Sequence, residues 1–411
     1  MYTSDDRGIL FSKSLERHLF DGHRKSDFTN ITSLRGVYLT NKLDVGRIKS
    51  VISFNRGGTW RPLKKPENIN CGDKIKSCNL HIHGEHSRNN HIVPMVTLSE
   101  PAAVGLVIAH SVGDSLSSSQ HPDVFVSSDG GYNWRGTLRG PHHYTILDSG
   151  GLIVAVEAHR EGQVKTIFST DEGQCWKLYN FTDQPFFFAG LASEPGTNAM
   201  TVSVWGFRPE EDGQPMWVAV TIDFQSLITR ENDNDYEEWL AHSTEGGHSE
   251  RNGCVLGVKE TYRRLKKQSL CRNGRSFVVM KKQSPCLCTR EDFDFGYYRH
   301  INTSECVRQP SAANKTYELC LNGEEDELLT EYRKVPSDRC EGGFSPQLIK
   351  QTVKACGIKP SPAPPVKSTS SVTHFDTPLV LILVCAGAVI IVLIAIVSAV
   401  IVVKRVIYRN R

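Results

Sequence analysis

The sequence predicts an all-β fold of propeller-type blades, followed by a small disulfide-rich module and a single transmembrane α-helix. Three observations predict it. A turn frame of Ser, Asp or Asn, Gly and a closing aromatic recurs between Ser4 and Trp176; short runs of alternating apolar and polar residues lie between the turns; and one long uncharged stretch stands near the carboxy terminus.

The frame reads SDDRGILF from Ser4, SFNRGGTW from Ser53, SSDGGYNW from Ser127 and STDEGQCW from Ser169. Its key positions are Ser4, Asp6 and Gly8; Ser53, Asn55, Gly57 and Trp60; Ser127, Asp129, Gly131 and Trp134; and Ser169, Asp171, Gly173 and Trp176. Ser and Asp in such a bend bond local backbone N–H groups, Gly accepts a positive φ, and the ring packs on a neighbouring hairpin. The starts are 49, 74 and 42 residues apart. A four-stranded propeller blade uses roughly 40 to 50 residues, so residues 1–230 hold about four to five blades and the long middle gap carries an insertion.

Between the turns lie SVISF, AVGLVIAH, DVFVSS, GLIVAVEAH, VKTIFS, MTVSVWGF and MWVAVTIDF, separated by Gly, Asp, Asn and Pro clusters. Their period of two predicts antiparallel strands. The insertion contains Cys71 and Cys78, close enough in sequence for a local disulfide. The histidines of LHIHGEHS that follow, His81, His83 and His86, read as strand and loop, since alternation supplies no third fixed metal ligand.

From 231 to 356 the frame stops and cysteine takes over: eight of the chain's twelve cysteines fall between Cys254 and Cys356. Such density predicts disulfides in an oxidising compartment, while the paired CxxC knuckles of a zinc site are missing. No cofactor or metal is expected. The basic run YRRLKKQSLCR from Tyr262 reads as a solvated helix face, and the acidic EEDE from Glu324 as equally solvated.

Residues 357–376 form a Pro/Ser/Thr linker, stiff and then flexible. Residues 377–403 include PLVLILVCAGAVIIVLIAIVSAVIVV, which exceeds the roughly 30 Å of a hydrocarbon core at about 1.5 Å per residue. The basic KRVIYRNR of 404–411 stays cytoplasmic by the positive-inside rule, giving a single-pass type I orientation. Four sequons, at Asn30, Asn180, Asn302 and Asn314, lie on the lumenal side. A formal charge of +3 gives no field that argues for nucleic acid.

The segments MYTSDDRG, FTNITSLRGVY, HYTILDSGGLIVAVE, FSTDEGQCW, GLASEPG, EEWLAHST and DFGYYR, in that order, resemble the carboxy-terminal half of the sortilin-type receptors of the vacuolar protein sorting family, over roughly residues 1–356. The resemblance implies part of a ten-bladed propeller, a ten-cysteine module, one membrane span and a tail that recruits adaptor proteins. It also implies disulfides Cys254–Cys286, Cys288–Cys340 and Cys320–Cys356. Two family cysteines, near Asn232 and within EDFDFGYY, are missing, and by parity their orphaned partners Cys271 and Cys306 are expected to pair. The family partner of Cys175 lies near the start of the propeller, so Cys175 is expected unpaired.

The family's peptide pocket lies in blades before residue 1, so the ligand-binding residues of this chain stay unknown. MYTSDDRGILFSKSLERHLF has no apolar signal-peptide core, and KRVIYRNR carries neither a tyrosine-based nor an acidic dileucine signal. The expectation is a fragment, or truncated product, of a sorting receptor that binds lumenal protein or peptide ligands and travels between Golgi, endosome, lysosome and plasma membrane. The alternatives are a sialidase-like glycosidase, which shares aspartate-box turns, and a non-functional membrane stub. No arginine cluster with a tyrosine nucleophile can be assigned, so no catalytic residue is expected.

Overall fold

Strand-forming β-branched residues between Gly- and Asp-rich bends fold into a series of antiparallel meanders in the computed structural model. The structure describes residues 1–355 apart from 5–10, 21–25, 67, 70–78, 113–121, 159–165, 185, 195–198, 210–214, 227–232, 244–252, 268, 270, 290–291, 294–296, 300–305, 309–317, 322–323, 330–333, 336 and 346–348. The expected linker, membrane span and tail lie outside the described residues. Among those described, no helix is long and apolar enough to cross a membrane.

A hairpin of β1 (Tyr2–Ser4) and β2 (Phe11–Lys13) comes first. The first meander is β3 (Thr29–Asn30), β4 (Tyr38–Asp44), β5 (Arg47–Ser53) and β6 (Arg61–Pro62). The second is β7 (His81–Ile82), β8 (Val107–Val112), β9 (Asp123–Ser127) and β10 (Arg135–Leu138), with α1 (Glu85–Asn89) between β7 and β8. The third is β11 (His142–Leu147), β12 (Leu152–Glu157), β13 (Thr166–Ser169) and β14 (Lys177–Tyr179). A three-stranded fourth follows with β15 (Phe187–Ser193), β16 (Thr201–Pro209) and β17 (Pro215–Asp223). In each of these four meanders the strands neighbour one another in chain order.

The meanders stack face to face, and side-chain alternation shows how. Val107 and Ala109 of β8 join a cluster with Leu39, Ile52 and Leu63 of the first meander, while Ile108 between them joins Ile153 and Ala155 of the third. Leu152, Val154 and Val156 of β12 face the other way, onto Val202, Val204 and Ile222 of the fourth. A central strand is thus apolar on both faces because each face meets a different sheet. The runs AVGLVIAH and GLIVAVEAH are continuous rather than alternating for that reason.

Residues 233–345 build a smaller sheet in which β20 (Val258–Leu265) pairs antiparallel with β18 (Tyr236–Leu240), β19 (Cys254–Val255) and β21 (Lys281–Pro285). The short hairpin β22 (Tyr297–Arg299) and β23 (Cys306–Arg308) follows, then strands β24 (Glu318–Leu321), β25 (Glu324–Leu329) and β26 (Ile349–Ala355). The basic run is therefore not a helix face. Residues Tyr262 to Leu265 continue β20, where Val258, Glu260, Tyr262 and Arg264 point inward in strict alternation. EEDE also falls in a strand, β25. Backbone contacts group the meanders and most of the smaller sheets into one compact unit, 1–319 with 326–352; the other, 320–325 with 353–411, lies almost wholly outside the described residues.

Candidate functional site

Three of the four recurrent frames are described in full, and each closes by the same bonds. In the third, Ser127 Oγ donates to Asp129 Oδ1 (2.8 Å) and accepts from Gly131 N (2.8 Å), while Asp129 accepts from Asn133 N at 3.0 Å. The fourth repeats this through Ser169, Asp171, Gly173 and Cys175 N, with 2.7, 2.9 and 2.9 Å. In the second, Ser53, Asn55, Gly57 and Thr59 N give 3.0, 2.8 and 2.8 Å, so an amide oxygen replaces the carboxylate. Two consecutive residues take a positive φ each time: Arg56 and Gly57, Gly130 and Gly131, Glu172 and Gly173.

The closing rings differ. Trp134 and Trp176 donate their indole N–H to Gly131 O and Gly173 O, both at 3.1 Å. Trp60 donates instead to Ser14 Oγ (2.9 Å), which itself donates to Gly57 O (2.6 Å), so a serine from the β2 end bridges the gap. In the first frame Ser4 ends β1, while Asp6 and Gly8 lie outside the described residues.

These turns carry a second structure, which the sequence frame does not announce. Arg264 of β20 is nearly buried; its Nη1 donates to Ser128 O (2.8 Å), its Nη2 pairs with Glu172, and its guanidinium lies 4.8 Å from the Trp239 ring centre. One arginine so holds two successive box turns. Asp148, in the bend before β12, accepts from Asn273 N and Gly274 N, each at 2.8 Å. Arg35 Nη2 donates to Val255 O (2.5 Å), and Arg56 Nη1 to Ser337 Oγ (2.6 Å).

Between them, Tyr132 and His242 form the buried centre of the contact. The Tyr132 hydroxyl donates to His242 Nδ1 (2.9 Å), and His242 Nε2–H donates to Arg35 O (3.0 Å), which assigns the neutral Nε2–H tautomer. Burial, then the nearby Arg35 charge, pushes the His242 pKa down to about 4, and burial raises that of Tyr132. Beneath lies Glu260, with a fully buried side chain, bonded by Gln283 Nε2 (2.6 Å) and Tyr262 OH (3.2 Å) and paired with Arg35 Nε at 3.2 Å. Burial alone would raise its pKa; Gln283, Arg35 and Lys281 outweigh it and hold the carboxyl below its usual range.

The arrangement is a mount. The cavity at the Arg264 junction, lined by Asp171, Glu172, Asn273 and Phe277 among others, holds about 40 Å³, room for a water or two. Among the described residues the cluster with metal-ligand spacing is Asp292, Asp338 and Cys340, and the Cys340 sulfur is committed to Cys288.

Cys254 is bonded to Cys286 and Cys288 to Cys340, with Cα separations of 6.4 and 4.9 Å. Cys271 is buried, with Sγ donating to Asp235 Oδ2 at 2.7 Å. Its expected partner Cys306, together with Cys320, Cys356, Cys71 and Cys78, has no described side chain. Cys175 is exposed and in no disulfide. Asn30 and Asn180 are exposed, while Asn302 and Asn314 lie outside the described residues. Of the insertion histidines, His81 and His83 are buried: His81 Nδ1 accepts from Ser50 N (3.1 Å) and His83 Nδ1 meets Ser87 Oγ (2.8 Å).

Comparison with known proteins agrees along the chain. The profile described as Sortilin, neurotensin receptor 3, matches residues 1–191, and its C-terminal counterpart matches 193–356. Rat sortilin is 52% identical over 87% of this chain and 44% of its own length. Zebrafish sortilin is 53% identical over 84% and 44%, and human VPS10 domain-containing receptor SorCS1 31% over 88% and 31%. The chain thus spans less than half the length of these relatives. A fungal arabinofuranosidase domain from Coprinopsis cinerea aligns at a TM-score of 0.20 and 8% identity, too little to bear on fold or catalysis.

Proposed function

The chain belongs to the Sortilin-Vps10 receptor family, and on that premise we propose that it serves as a membrane-anchored sorting receptor for lumenal protein or peptide ligands. Its homologues are sorting receptors and not enzymes. In this reading the stacked meanders are blades of a β-propeller, the cysteine-bonded sheet is the family's ten-cysteine module, and residues 377–403 span the membrane. The Golgi, endosome and plasma membrane are its stations.

The observation that carries the reading is the mount itself. Arg264, Asp148 and Tyr132–His242 lock a disulfide-bonded sheet onto the turn side of the meanders, and in this reading an extended peptide adds to a strand edge away from that contact by backbone pairing. The test is to express the full chain in mammalian cells, follow glycan maturation and surface labelling, and offer secreted peptide ligands. Mature glycans with ligand uptake are expected. Retention in the endoplasmic reticulum would favour the membrane-stub reading, for which the exposed Cys175 thiol is the supporting observation.

A further inference from the structure

A crevice of about 500 Å³ opens between the second box turn and the cysteine-bonded sheet, with Arg35, Arg56, Lys281, Gln283, Ser337 and Arg339 on its walls. Among the described residues that line it, Val258 is the one apolar residue and Asp338 the one carboxylate. Four cations converge there from four separate stretches of chain.

Their counter-charges are few. Glu260 beneath the crevice pairs with Arg35 at 3.2 Å and with Lys281 at 3.5 Å, and its oxygens are already occupied by Gln283 and Tyr262. Arg56 donates to a neutral hydroxyl, that of Ser337. Among the described residues the Arg339 guanidinium meets no carboxylate. Among the described residues two carboxylates therefore face four cations in a recess, where a low-dielectric wall strengthens the field and an incoming anion relieves the mutual repulsion.

We propose that this crevice binds a sulfated saccharide. Guanidinium forks take oxyanions bidentately, which suits sulfate esters on the sugar to Arg56 and Arg339. Gln283 and Ser337 supply the neutral donors and acceptors that sugar hydroxyls need. A peptide would want apolar pockets for its side chains, and among the described lining residues Val258 is the one apolar side chain. The volume lies within the range of small-ligand sites. The two disulfides place this face in an oxidising compartment, as the proposed function also requires; beyond that placement the inference is independent of it.

The test uses the full chain in detergent with a heparin-derived tetrasaccharide as probe. Binding is expected to weaken with added salt, and Arg56→Gln with Arg339→Gln is expected to weaken it on the order of tenfold or more. Both side chains are exposed, so circular dichroism and the thiol count should stay as in the parent chain. Lys266→Gln with Lys267→Gln, in the basic run beside β20, should leave binding within about twofold, and the tetrasaccharide stripped of sulfate should not bind. No binding of the sulfated probe, or equal binding by R56Q/R339Q, would overturn the assignment. So would a polyglutamate peptide that binds as well and is lost in the same variant, since the site would then take acidic peptides. Glycan maturation and ligand uptake are read separately, so their failure would strike the receptor reading and leave this one standing.

Discussion

The meanders and the cysteine-bonded sheet solve the same problem by different means. In β8 every residue is buried and in β12 all but the last, because sheets cover both faces. In β21 every residue is exposed, and among the described residues the module's buried apolar positions are few: Ala241, Leu256, Val258 and Tyr262, with Cys271, Cys288 and Cys340. Stacked sheets obtain stability from the hydrophobic effect and spread it over many contacts. A thin sheet cannot, so covalent bonds and a borrowed partner surface replace the core it lacks. Ala241 and Tyr262 show the borrowing, since both belong to the cluster centred on the first two meanders.

This contrast can be broken or sharpened by substitution. The largest effect is expected from Cys288→Ser with Cys340→Ser. A bridge across 52 residues constrains the unfolded chain by about 4 kcal/mol. Limited proteolysis should then cut within 253–345 and spare the meanders; cleavage spread evenly over both would mean that the two regions do not differ as described. Next is Leu152→Ala in β12, a fully buried side chain whose loss should cost about 3 kcal/mol and lower the denaturation midpoint of the meanders.

Acid should act on both regions. Burial pushes the pKa of His83 down to about 4 and that of His110 to about 3, and His242 at the mount stands near 4. A histidine whose folded pKa lies below its unfolded value of about 6.5 adds no pH dependence above that value. Below it the unfolded chain takes the proton first, so stability falls with pH, by about 2 kcal/mol per histidine between pH 7.5 and 5. The variant His83→Gln should flatten that slope in urea titrations; an unchanged slope would remove His83 from the account. The smallest effect is expected from Ser127→Ala, which removes one acceptor and one donor from a box turn and should cost about 1 kcal/mol by the same titration.

Much of the meander region was legible because its signals are local. Each of the seven short apolar-rich runs overlaps a strand, and the Ser–Asp–Gly frame encodes bonds that span four residues. The fourth meander has no such frame after Asp223, and nothing in the sequence marks its third strand as the last of that sheet among the described residues. The mount was not legible. Arg264 and Glu172 are 92 residues apart, Arg35 and Val255 220, and Arg56 and Ser337 281. Residue type misled as well: basic side chains at Arg263, Arg264, Lys266 and Lys267 suggest solvent, whereas the alternation Val258, Glu260, Tyr262, Arg264 is a strand signal in which one arginine takes an inward position. That register was the clue available in the sequence.

The central claim is that the box turns hold the cysteine-bonded sheet through Arg264. A double-mutant cycle on Arg264→Met and Glu172→Gln measures it directly, with stability read from urea unfolding of the full chain in detergent. For a contact this close and this buried, the two effects should couple by about 1 to 3 kcal/mol. Effects that add to within about 0.3 kcal/mol would show that the turns and the sheet are merely adjacent.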